Sequence, residues 1–268
     1  MSGERLRRVI ERGLDWLNLK WANELVYDSN KLFHAYATRR YVRVRGNRCL
    51  VVGCHRGKDC MYFVRFGARE VHGIDIVEEI GKDVVNSKVT YYRTSCERME
   101  NVPSEYYDLV FCFATMEHIP RIDLAFSEMV RVARPGGIIY AFSSPLWNSR
   151  YGHHRKAILR DPWMHLRYDQ NELIRYCKSM GIREVAGGQM AEDIIKLTFD
   201  RNFCNRVPAK TYIEVCGGLQ GIQIIKNQLF FESPSVLPPT LKSELGQKGY
   251  SEEELRAVSH KFVARKLK

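Results

Sequence analysis

The fold is decided in the stretch Leu50-Val51-Val52-Gly53-Cys54-His55-Arg56-Gly57-Lys58-Asp59, where a short apolar run meets two glycines and then a charged segment. Such a run bounded by glycine is typical of a buried strand, and the spacing that follows predicts a helix over Lys58–Phe66 that Gly67 stops. Glycines here permit a sharp turn and let ligand atoms approach backbone amides closely. The stretch therefore predicts a strand, a turn of the kind that receives a nucleotide and a helix, although two glycines also occur in ordinary tight turns.

Apolar runs and helix-like segments continue to alternate on both sides of this turn, which is the pattern of βαβ units around a parallel sheet. The predicted strands are Arg48–Val52, Glu70–Ile74, Val89–Arg93, Leu109–Ala114, Ile138–Ser143 and an antiparallel last strand at Ala257–Ala264. Further helices are predicted near Glu78–Val84, from an Asp123 cap to Ala133, from an Asp169/Glu172 capping box to Gly181, and from Ser251. The predicted fold class is α/β, a Rossmann-like, mostly parallel seven-stranded sheet with helices on both faces.

The chain divides by pattern into four regions. Residues 1–45 are predicted to form a helical cap, with one helix carried by Leu6, Val9, Ile10, Leu14 and Leu17 and a second over Ser29 to about Arg40. Residues 46–190 are the predicted core, and residues 251–268 supply its last helix and strand. Residues 191–250 are proline-interrupted and poorly periodic, and are interpreted as an insertion of helices and loops before the last strand. Its aromatic residues predict either a lid over the acceptor side or the surface of a homodimer.

Composition narrows the partners and the compartment. Lys and Arg number 42 against 31 Asp and Glu, a net charge of +11 that favours an anionic partner such as nucleic acid, a phosphorylated sugar carrier or an anionic membrane surface. The eight cysteines include no Cys-x-x-Cys pair and are interpreted as reduced, mostly buried thiols. No apolar run reaches 18 residues and the N-terminus has no secretory pattern, so we expect no transmembrane segment and a cytoplasmic protein.

An acidic residue ends the second predicted strand. Asp75 lies 22 residues after Gly53, the separation at which an acidic side chain reaches the ribose hydroxyls of a nucleoside bound at the glycine turn. The pairing of turn and acid favours a nucleotide-type ligand more strongly than either does alone.

Four ordered motifs resemble the class I S-adenosylmethionine-dependent methyltransferases. They are Val52-Gly53-Cys54-x-x-Gly57, Val71-His72-Gly73-Ile74-Asp75-Ile76, Tyr107-Asp108-Leu109-Val110-Phe111-Cys112-Phe113-Ala114-Thr115-Met116-Glu117-His118-Ile119 and Arg131-Val132-Ala133-Arg134-Pro135-Gly136-Gly137. The resemblance spans roughly residues 48–181 and the last strand, and it implies S-adenosyl-L-methionine as the cofactor and a small-molecule acceptor.

The resemblance also implies roles for particular residues. Gly53, Cys54 and Gly57 would line the methionine and ribose side of the cofactor, while Asp75 would hold the ribose and Ile76 would pack on adenine. The remaining implied cofactor contacts are Ser95, Cys96 and Glu97 at the adenine edge, Phe113 and Ala114 beside the sulfonium, and His118 as a residue that shapes the pocket or acts as a base.

Three positions depart from the family pattern. Val51 stands where many members have an acidic residue, His55 where they have a further glycine, and Ser95 where they often have Asp. These departures keep open a non-catalytic scaffold that retains the fold but has a degenerate cofactor site.

Methyl transfer to a hydroxyl also needs a base near neutral pKa, and histidine fits best. His153, His154 and His165 cluster after the fifth predicted strand, in a loop expected to hang over the carboxyl ends of the strands. The surrounding Gly-His-His and Pro-Trp-x-His-Leu patterns resemble methyltransferases of glycan biosynthesis. Only Asp161 offers a carboxylate at ligand spacing, so no metal site is predicted.

Basic residues surround these histidines and predict an acceptor that carries phosphate or an acidic sugar, since guanidinium groups pair well with such anions. They are Arg150, Arg155, Lys156, Arg160 and Arg167. The leading prediction is therefore O-methylation of a sugar or other anionic small molecule. RNA methylation stays open because of the basic and aromatic run Arg39–Arg45, but it is not favoured, since the fourth strand lacks the Asn/Asp-Pro-Pro-aromatic tetrad. A nicotinamide-dependent dehydrogenase fits less well, because the three-glycine fingerprint is missing.

Overall fold

The computed structural model describes residues 20–185 and 188–268 of the chain. The predicted helix around Leu6–Leu17 lies outside the described residues. Helix α1 spans Lys20–Ala37 and is followed by a 3₁₀ turn at Thr38–Arg40, so the second predicted helix exists but begins earlier in the chain.

The core is a sheet whose strands follow the apolar runs of the sequence. Within the described residues, seven strands pair in the order β3-β2-β1-β4-β5-β9-β8. Their bounds are β1 Arg48–Val52, β2 Glu70–Asp75, β3 Val89–Arg93, β4 Tyr107–Phe113, β5 Ala133–Ser143, β8 Ile222–Phe231 and β9 Ala257–Lys266. The first five are mutually parallel, and β9 and β8 add to the edge as antiparallel strands. The predicted fold class and the antiparallel last strand are confirmed.

Both faces of this sheet are buried, which explains why its central strands are almost wholly apolar. On one face Leu50 and Phe262 pack with Phe126 of helix α3 (Ile122–Val132). On the other face Val51 packs with Phe63 of helix α2 (Lys58–Arg65). All seven residues of β4 are buried, so this strand forms the centre of the domain.

The segment after β5 supplies a second layer of short elements above the sheet edge. These elements are α4 Met164–Arg167, α5 Gln170–Ser179, the hairpin strands β6 Glu184–Val185 and β7 Gln189–Met190, α6 Ala191–Phe199, α7 Ala209–Gly218, α8 Pro239–Gln247 and α9 Glu252–Arg256. The predicted capping box is confirmed, because Asp169 accepts from the Glu172 amide and Glu172 accepts from the Asp169 amide. Ser251 likewise caps α9 through the Glu254 amide.

Four local expectations were wrong. The predicted helix near Glu78–Val84 is a series of turns. Asp123 lies inside the first turn of α3 and pairs with Arg121 instead of capping the helix. Strand β5 starts at Ala133 rather than after Gly137, because Ala133 pairs with Tyr107 across a register shift. Strand β8 was not anticipated, since its burial alternates irregularly over ten residues.

The parallel strands bring their carboxyl ends to one edge of the sheet, where open α/β sheets bind ligands. The segment 144–167 and the 3₁₀ turn Met116–His118 lie beyond this edge. All eight cysteines belong to the described part of the chain, and each is a buried free thiol. Among the described helices, none combines the length and apolar character needed to cross a membrane.

Candidate cofactor and acceptor site

A cavity of about 210 Å³ opens beyond the carboxyl ends of β1, β2 and β4. Its lining residues come from four turns that follow strands, together with one residue of the later segment. They are Gly53, Ile74, Asp75, Ile76, Thr94, Ser95, Cys96, Glu97, Thr115, His118, Ile119, Pro120 and Asn202. We call it the cofactor cavity, because it lies where the sequence predicts a nucleoside.

The turn after β1 closes this cavity from below. Gly53 has a φ of +74°, and its amide donates to the Ile74 carbonyl at 2.9 Å. A Cβ at this position would overlap the side chain of Thr115. Thr115 donates to the Phe113 carbonyl at 3.1 Å, so it cannot turn away without losing that bond. Glycine is therefore required at position 53 both for its backbone conformation and for space.

Asp75 is held in one orientation at the end of β2. Its Oδ2 accepts from the His55 amide at 2.8 Å, and its Oδ1 accepts from the Ile76 amide at 2.8 Å. The Val77 amide also donates to Oδ1, at 3.3 Å. Oδ2 accepts one of these bonds and keeps a second lone pair, with which it can accept from a ribose hydroxyl. The His55 amide thus ties the glycine turn to the acidic residue that the sequence pairs with it.

At one end of the cavity, apolar side chains lie beside polar ones. Ile76 is 65% exposed although it is aliphatic, and it faces an open cavity with Ile119 and Pro120. Ser95 and Glu97 are tied to each other by the bond from the Glu97 amide to Ser95 Oγ. An exposed aliphatic surface beside fixed polar groups suits a purine ring, and together with Asp75 it makes the cavity fit the adenosine part of the predicted cofactor.

The predicted cofactor residues divide into three groups. Seven line the cofactor cavity, namely Gly53, Asp75, Ile76, Ser95, Cys96, Glu97 and His118. Phe113 and Ala114 line a neighbouring cavity instead. Cys54 and Gly57 line neither; Cys54 is buried with its Sγ against Gly73, and Gly57 has a φ of +93° and lies against Tyr91. Val51 is buried in the core, so another group has to hold the amino end of a bound cofactor.

The neighbouring cavity has a volume of about 480 Å³ and lies beyond β4 and β5. It is lined by Asn30, His34, Phe113, Ala114, Glu117, His118, Phe142, Ser144, Pro145, Tyr151, His154 and Lys156. One wall is aromatic, since the His34 and Phe142 rings stack with centroids 3.9 Å apart and Phe113 stacks on Phe142 at 5.8 Å. The other wall is polar. We call it the acceptor cavity.

His118 lines both cavities and is held by a residue far along the chain. Its Nδ1 bonds to the Phe203 carbonyl. Because a carbonyl only accepts, Nδ1 carries the proton and Nε2 presents a lone pair. Burial, with the nearby Arg155 guanidinium, lowers the pKa of His118, so the ring is neutral at physiological pH.

Of the three histidines predicted as catalytic, the acceptor cavity receives His154. Its Nε2 donates to the Pro145 carbonyl at 3.2 Å, its ring centroid lies 5.0 Å from that of His118, and burial lowers its pKa to about 3. His153 and His165 are almost wholly buried and line neither cavity. His153 accepts from the Arg155 amide, and His165 donates to the Trp147 carbonyl at 2.6 Å. These two predicted catalytic residues are therefore not brought into either cavity.

Glu117 is a site residue that the sequence reasoning missed. Its side chain is buried, with 3% of the residue exposed, yet it lines the acceptor cavity. One oxygen accepts from the Ser144 amide at 3.3 Å, while Oε2 is buried without a partner among the described residues. Burial raises the pKa of Glu117 to about 8. The signal was available, since a carboxyl directly precedes His118 after the fourth strand, whereas nothing in the sequence pointed to His34 or Asn202.

The described residues also bear on metal binding. In residues 20–185 and 188–268, no group of three or more His, Cys, Asp or Glu side chains is arranged to hold a metal ion.

Comparison with known proteins agrees with the fold and with the motifs. Residues 50–141 match the family described as Methyltransferase domain. The Ubiquinone biosynthesis O-methyltransferase of Shewanella sp. (strain ANA-3) is 26% identical over 131 residues, which are 47% of this chain and 55% of that protein. The chain thus spans about half the length of the curated relatives it matches.

Solved structures are similar over more of the chain. An S-adenosylmethionine-dependent methyltransferase from Mesorhizobium loti superposes with a TM-score of 0.52 at 16% identity, covering 86% of this chain and 96% of that one. The cyclase SpnF superposes with a TM-score of 0.52 at 15% identity, covering 88% and 80%. These likenesses show the fold alone. The match to the family described as Methyltransferase domain covers residues 50–141, and all four sequence motifs lie within those residues.

Proposed function

We propose that the chain is an S-adenosylmethionine-dependent methyltransferase that O-methylates a hydroxyl-bearing small molecule. The observation that carries the proposal is the meeting of two cavities at His118, one fitted to adenosine and one open to a second molecule. Transfer between two bound molecules needs this adjacency, because holding both reactants in line replaces a bimolecular encounter.

When bound, S-adenosylmethionine supplies an electrophilic methyl group. The protein's own groups then have three tasks. Asp75 accepts from a ribose hydroxyl, Ile76 covers the base, and the Gly53 turn allows the ligand to approach the backbone. Phe113 and Ala114, at the end of β4, line the acceptor cavity, and in this proposal they exclude water from the place where the methyl passes.

The acceptor cavity favours a ring that bears hydroxyl groups. Its aromatic wall offers flat surfaces at His34, Phe113 and Phe142, and its polar wall offers hydrogen-bond acceptors. Lys156 lines the same cavity and favours a phosphate or carboxylate on the acceptor, in keeping with the basic residues around it. The name of the curated relatives favours oxygen as the methylated atom. A sugar or another anionic hydroxylated ring is the acceptor class we propose.

A histidine is proposed to accept a hydrogen bond from the acceptor hydroxyl, and His118 is the one best placed. Its Nε2 lone pair is left open by the Nδ1 bond to Phe203, and its ring borders both cavities. His154 lies beside it, and His153 and His165 support that loop from below. Residues 191–250 serve as an acceptor-side lid in this proposal, since Asn202 lines the cofactor cavity and Phe203 holds His118.

RNA methylation is the second candidate, and one observation favours it. Arg39, Arg43, Arg45 and Arg65 line a surface depression with Phe66, a combination that suits phosphate and a stacked base. The depression adjoins the segment that leads into β1 and the C-terminus of α2, so it lies at the end of the sheet away from the two cavities. A nucleic acid there would need to wrap around the domain, and we therefore rank this candidate second.

Calorimetric titration with S-adenosylhomocysteine tests the proposal. We expect micromolar binding, reduced about 10- to 100-fold in Asp75→Asn, because a charge-assisted hydrogen bond contributes about 1.5–3 kcal/mol. Asp83→Asn is the matched control, since Asp83 pairs with Arg56 outside the cofactor cavity. No binding at millimolar ligand would reject the methyltransferase and favour the scaffold. Binding that Asp75→Asn leaves unchanged would reject this cavity as the site.

A further inference from the structure

Glu117 combines features that seldom occur together in one carboxyl group. It is buried, it lines the acceptor cavity, and its Oε2 has no hydrogen-bond partner among the described residues. A buried unpartnered oxygen is costly, and it persists where a ligand or a proton completes it. The adjacent residue, His118, borders the cofactor cavity, so Glu117 lies within one residue of the junction.

We propose, resting on the methyltransferase function above, that Glu117 takes the proton of the acceptor hydroxyl and that its protonation state follows the charge of the cofactor. A cation near a buried carboxyl favours the carboxylate. S-Adenosylmethionine carries a positive sulfonium, whereas S-adenosylhomocysteine has a neutral thioether. Glu117 should therefore lose its proton when the methyl donor binds and regain one when the methyl has left.

The groups around Glu117 keep the same charge when one form of the cofactor replaces the other. The sulfonium is therefore the change in charge near its carboxyl. The titratable and charged groups that face it come from β4, the acceptor cavity wall, the segment after α6 and α7; they are Cys112, His34, His118, His154, Tyr151, Lys156, Cys204 and Tyr212. Burial raises the pKa values of Cys112, Cys204 and Tyr212 and lowers those of His118 and His154, so all five are neutral at pH 7.

The proton balance closes on these residues. As the acceptor oxygen forms its bond to the methyl carbon, the carbon–sulfur bond breaks and its electron pair stays on sulfur. The hydroxyl proton moves to Glu117, directly or across the His118 Nε2 lone pair. The proton rests on Glu117 rather than on His118, because the pKa of the carboxyl is raised while that of the imidazole is lowered. His118 is then a positioning residue for the hydroxyl.

Proton release on cofactor binding tests this without an acceptor. Titrations with S-adenosylmethionine and with S-adenosylhomocysteine are run at pH 7.5 in phosphate and in Tris, whose ionisation enthalpies differ. The sulfonium lowers the pKa of the amino group on S-adenosylmethionine itself. The protonation of each free ligand is therefore measured by titrating the ligand alone, and its contribution is subtracted before the two proton releases are compared. We expect about half a proton more released per S-adenosylmethionine, since a group with a pKa of about 8 that shifts down by about one pH unit loses that fraction.

Glu117→Gln should abolish the difference between the two ligands while both still bind, because the amide has the same shape and no titration. Glu232→Gln is the matched control, since Glu232 is another partly buried carboxyl with a raised pKa and an unpartnered Oε2, outside both cavities. Its difference in proton release should equal that of the unaltered protein.

The outcomes separate this inference from the function on which it rests. Equal proton release for the two ligands, or a difference that persists in Glu117→Gln, overturns the role of Glu117 and leaves the methyltransferase standing. Failure of both ligands to bind overturns both. The comparison of the two ligands on the unaltered protein is decisive even if Glu117→Gln does not fold.

Discussion

The two cavities that meet at His118 are built in different ways. The Asp75 side of the cofactor cavity is closed by contacts between residues close in sequence, such as the bond from the His55 amide to Asp75, 20 residues apart. The acceptor cavity depends on distant ones, such as His118 with Phe203, 85 residues apart, and Asn205 with Met116, 89 apart. One half of the site is specified by strand-end turns and the other by the placement of a later segment.

This difference teaches which half tolerates change. A turn between a strand and a helix forms whenever both elements form. A substitution in such a turn should therefore weaken ligand binding without unfolding the domain. A cavity held by long-range bonds is coupled to the folding of the segment that supplies them. Variants in the first half should therefore abolish binding without unfolding, whereas variants in the second half should weaken the fold together with the acceptor side.

The largest effect is expected at Gly53. Gly53→Ala introduces a Cβ that overlaps Thr115 at a φ of +74°, so the turn must move into the cofactor cavity. We expect the affinity for S-adenosylhomocysteine to fall at least about 100-fold, since strain of this kind costs about 1–3 kcal/mol before the overlap is counted. Calorimetry measures the affinity and circular dichroism checks the fold.

Gly46→Ala is the control for backbone strain alone. Gly46 has a φ of +81°, but a Cβ there meets nothing within 4 Å. It should lose a similar amount of stability and keep its cofactor affinity. Equal loss of binding in both variants would mean that the turn after β1 does not act locally on the ligand. The proposed difference between the two cavities would then be wrong.

The sequence predicted the cofactor half well, for the same physical reason. Strand-end motifs carry their own turn residues, so Gly53 and Asp75 were paired from their spacing, and the family resemblance added Ser95. All three line the cofactor cavity. Strand β3 was also predicted. The acceptor half was only partly predicted. The loop was predicted from its histidines. Which ring reaches the cavity depends on contacts with Phe203 and Pro145, and the periodicity of the sequence carries no information about such contacts. Strand β8 was missed because none of its ten residues is buried and their burial alternates irregularly, so the sequence lacks the regular alternation of a half-buried strand.

A smaller effect is expected at Asn205, which ties the later segment to the turn that carries Glu117 and His118. Its Nδ2 donates to the Met116 carbonyl at 2.7 Å and to the Ile119 carbonyl at 2.9 Å. Asn205→Ala leaves both carbonyls without this donor, and we expect the free energy of unfolding to fall by about 2–3 kcal/mol. Urea denaturation measures that loss.

The same variant sharpens the comparison between the cavities. Asn205 bonds to Ile119, which lines the cofactor cavity, but it does not contact Asp75 or Gly53. The affinity for S-adenosylhomocysteine should therefore stay within about threefold of the unaltered protein. Asn86→Ala is the control, since that exposed side chain accepts from the Lys88 amide in an ordinary turn. If Asn205→Ala lost cofactor binding as completely as Gly53→Ala, the two halves would form a single cooperative unit.

The smallest effect of a single substitution is expected at His165, through the dependence of stability on pH. Burial lowers the pKa values of His153, His154 and His165 to about 3, so the unfolded chain binds more protons than the folded one between about pH 6.5 and 3. Their contribution to stability is present above pH 6.5 and is lost as the pH falls.

Each ring contributes a slope of up to about 1.4 kcal/mol per pH unit in that window. Urea denaturation at pH 7.5, 6.5 and 5.5 measures the slope. His165→Gln should reduce it by up to about 1.4 kcal/mol per pH unit. Asn86→Ala, which changes no titratable group, should leave it as it was. If His165→Gln does not alter the slope, the groups that make stability sensitive to acid lie elsewhere in the chain. The acceptor side then does not depend on buried, uncharged histidines for its stability.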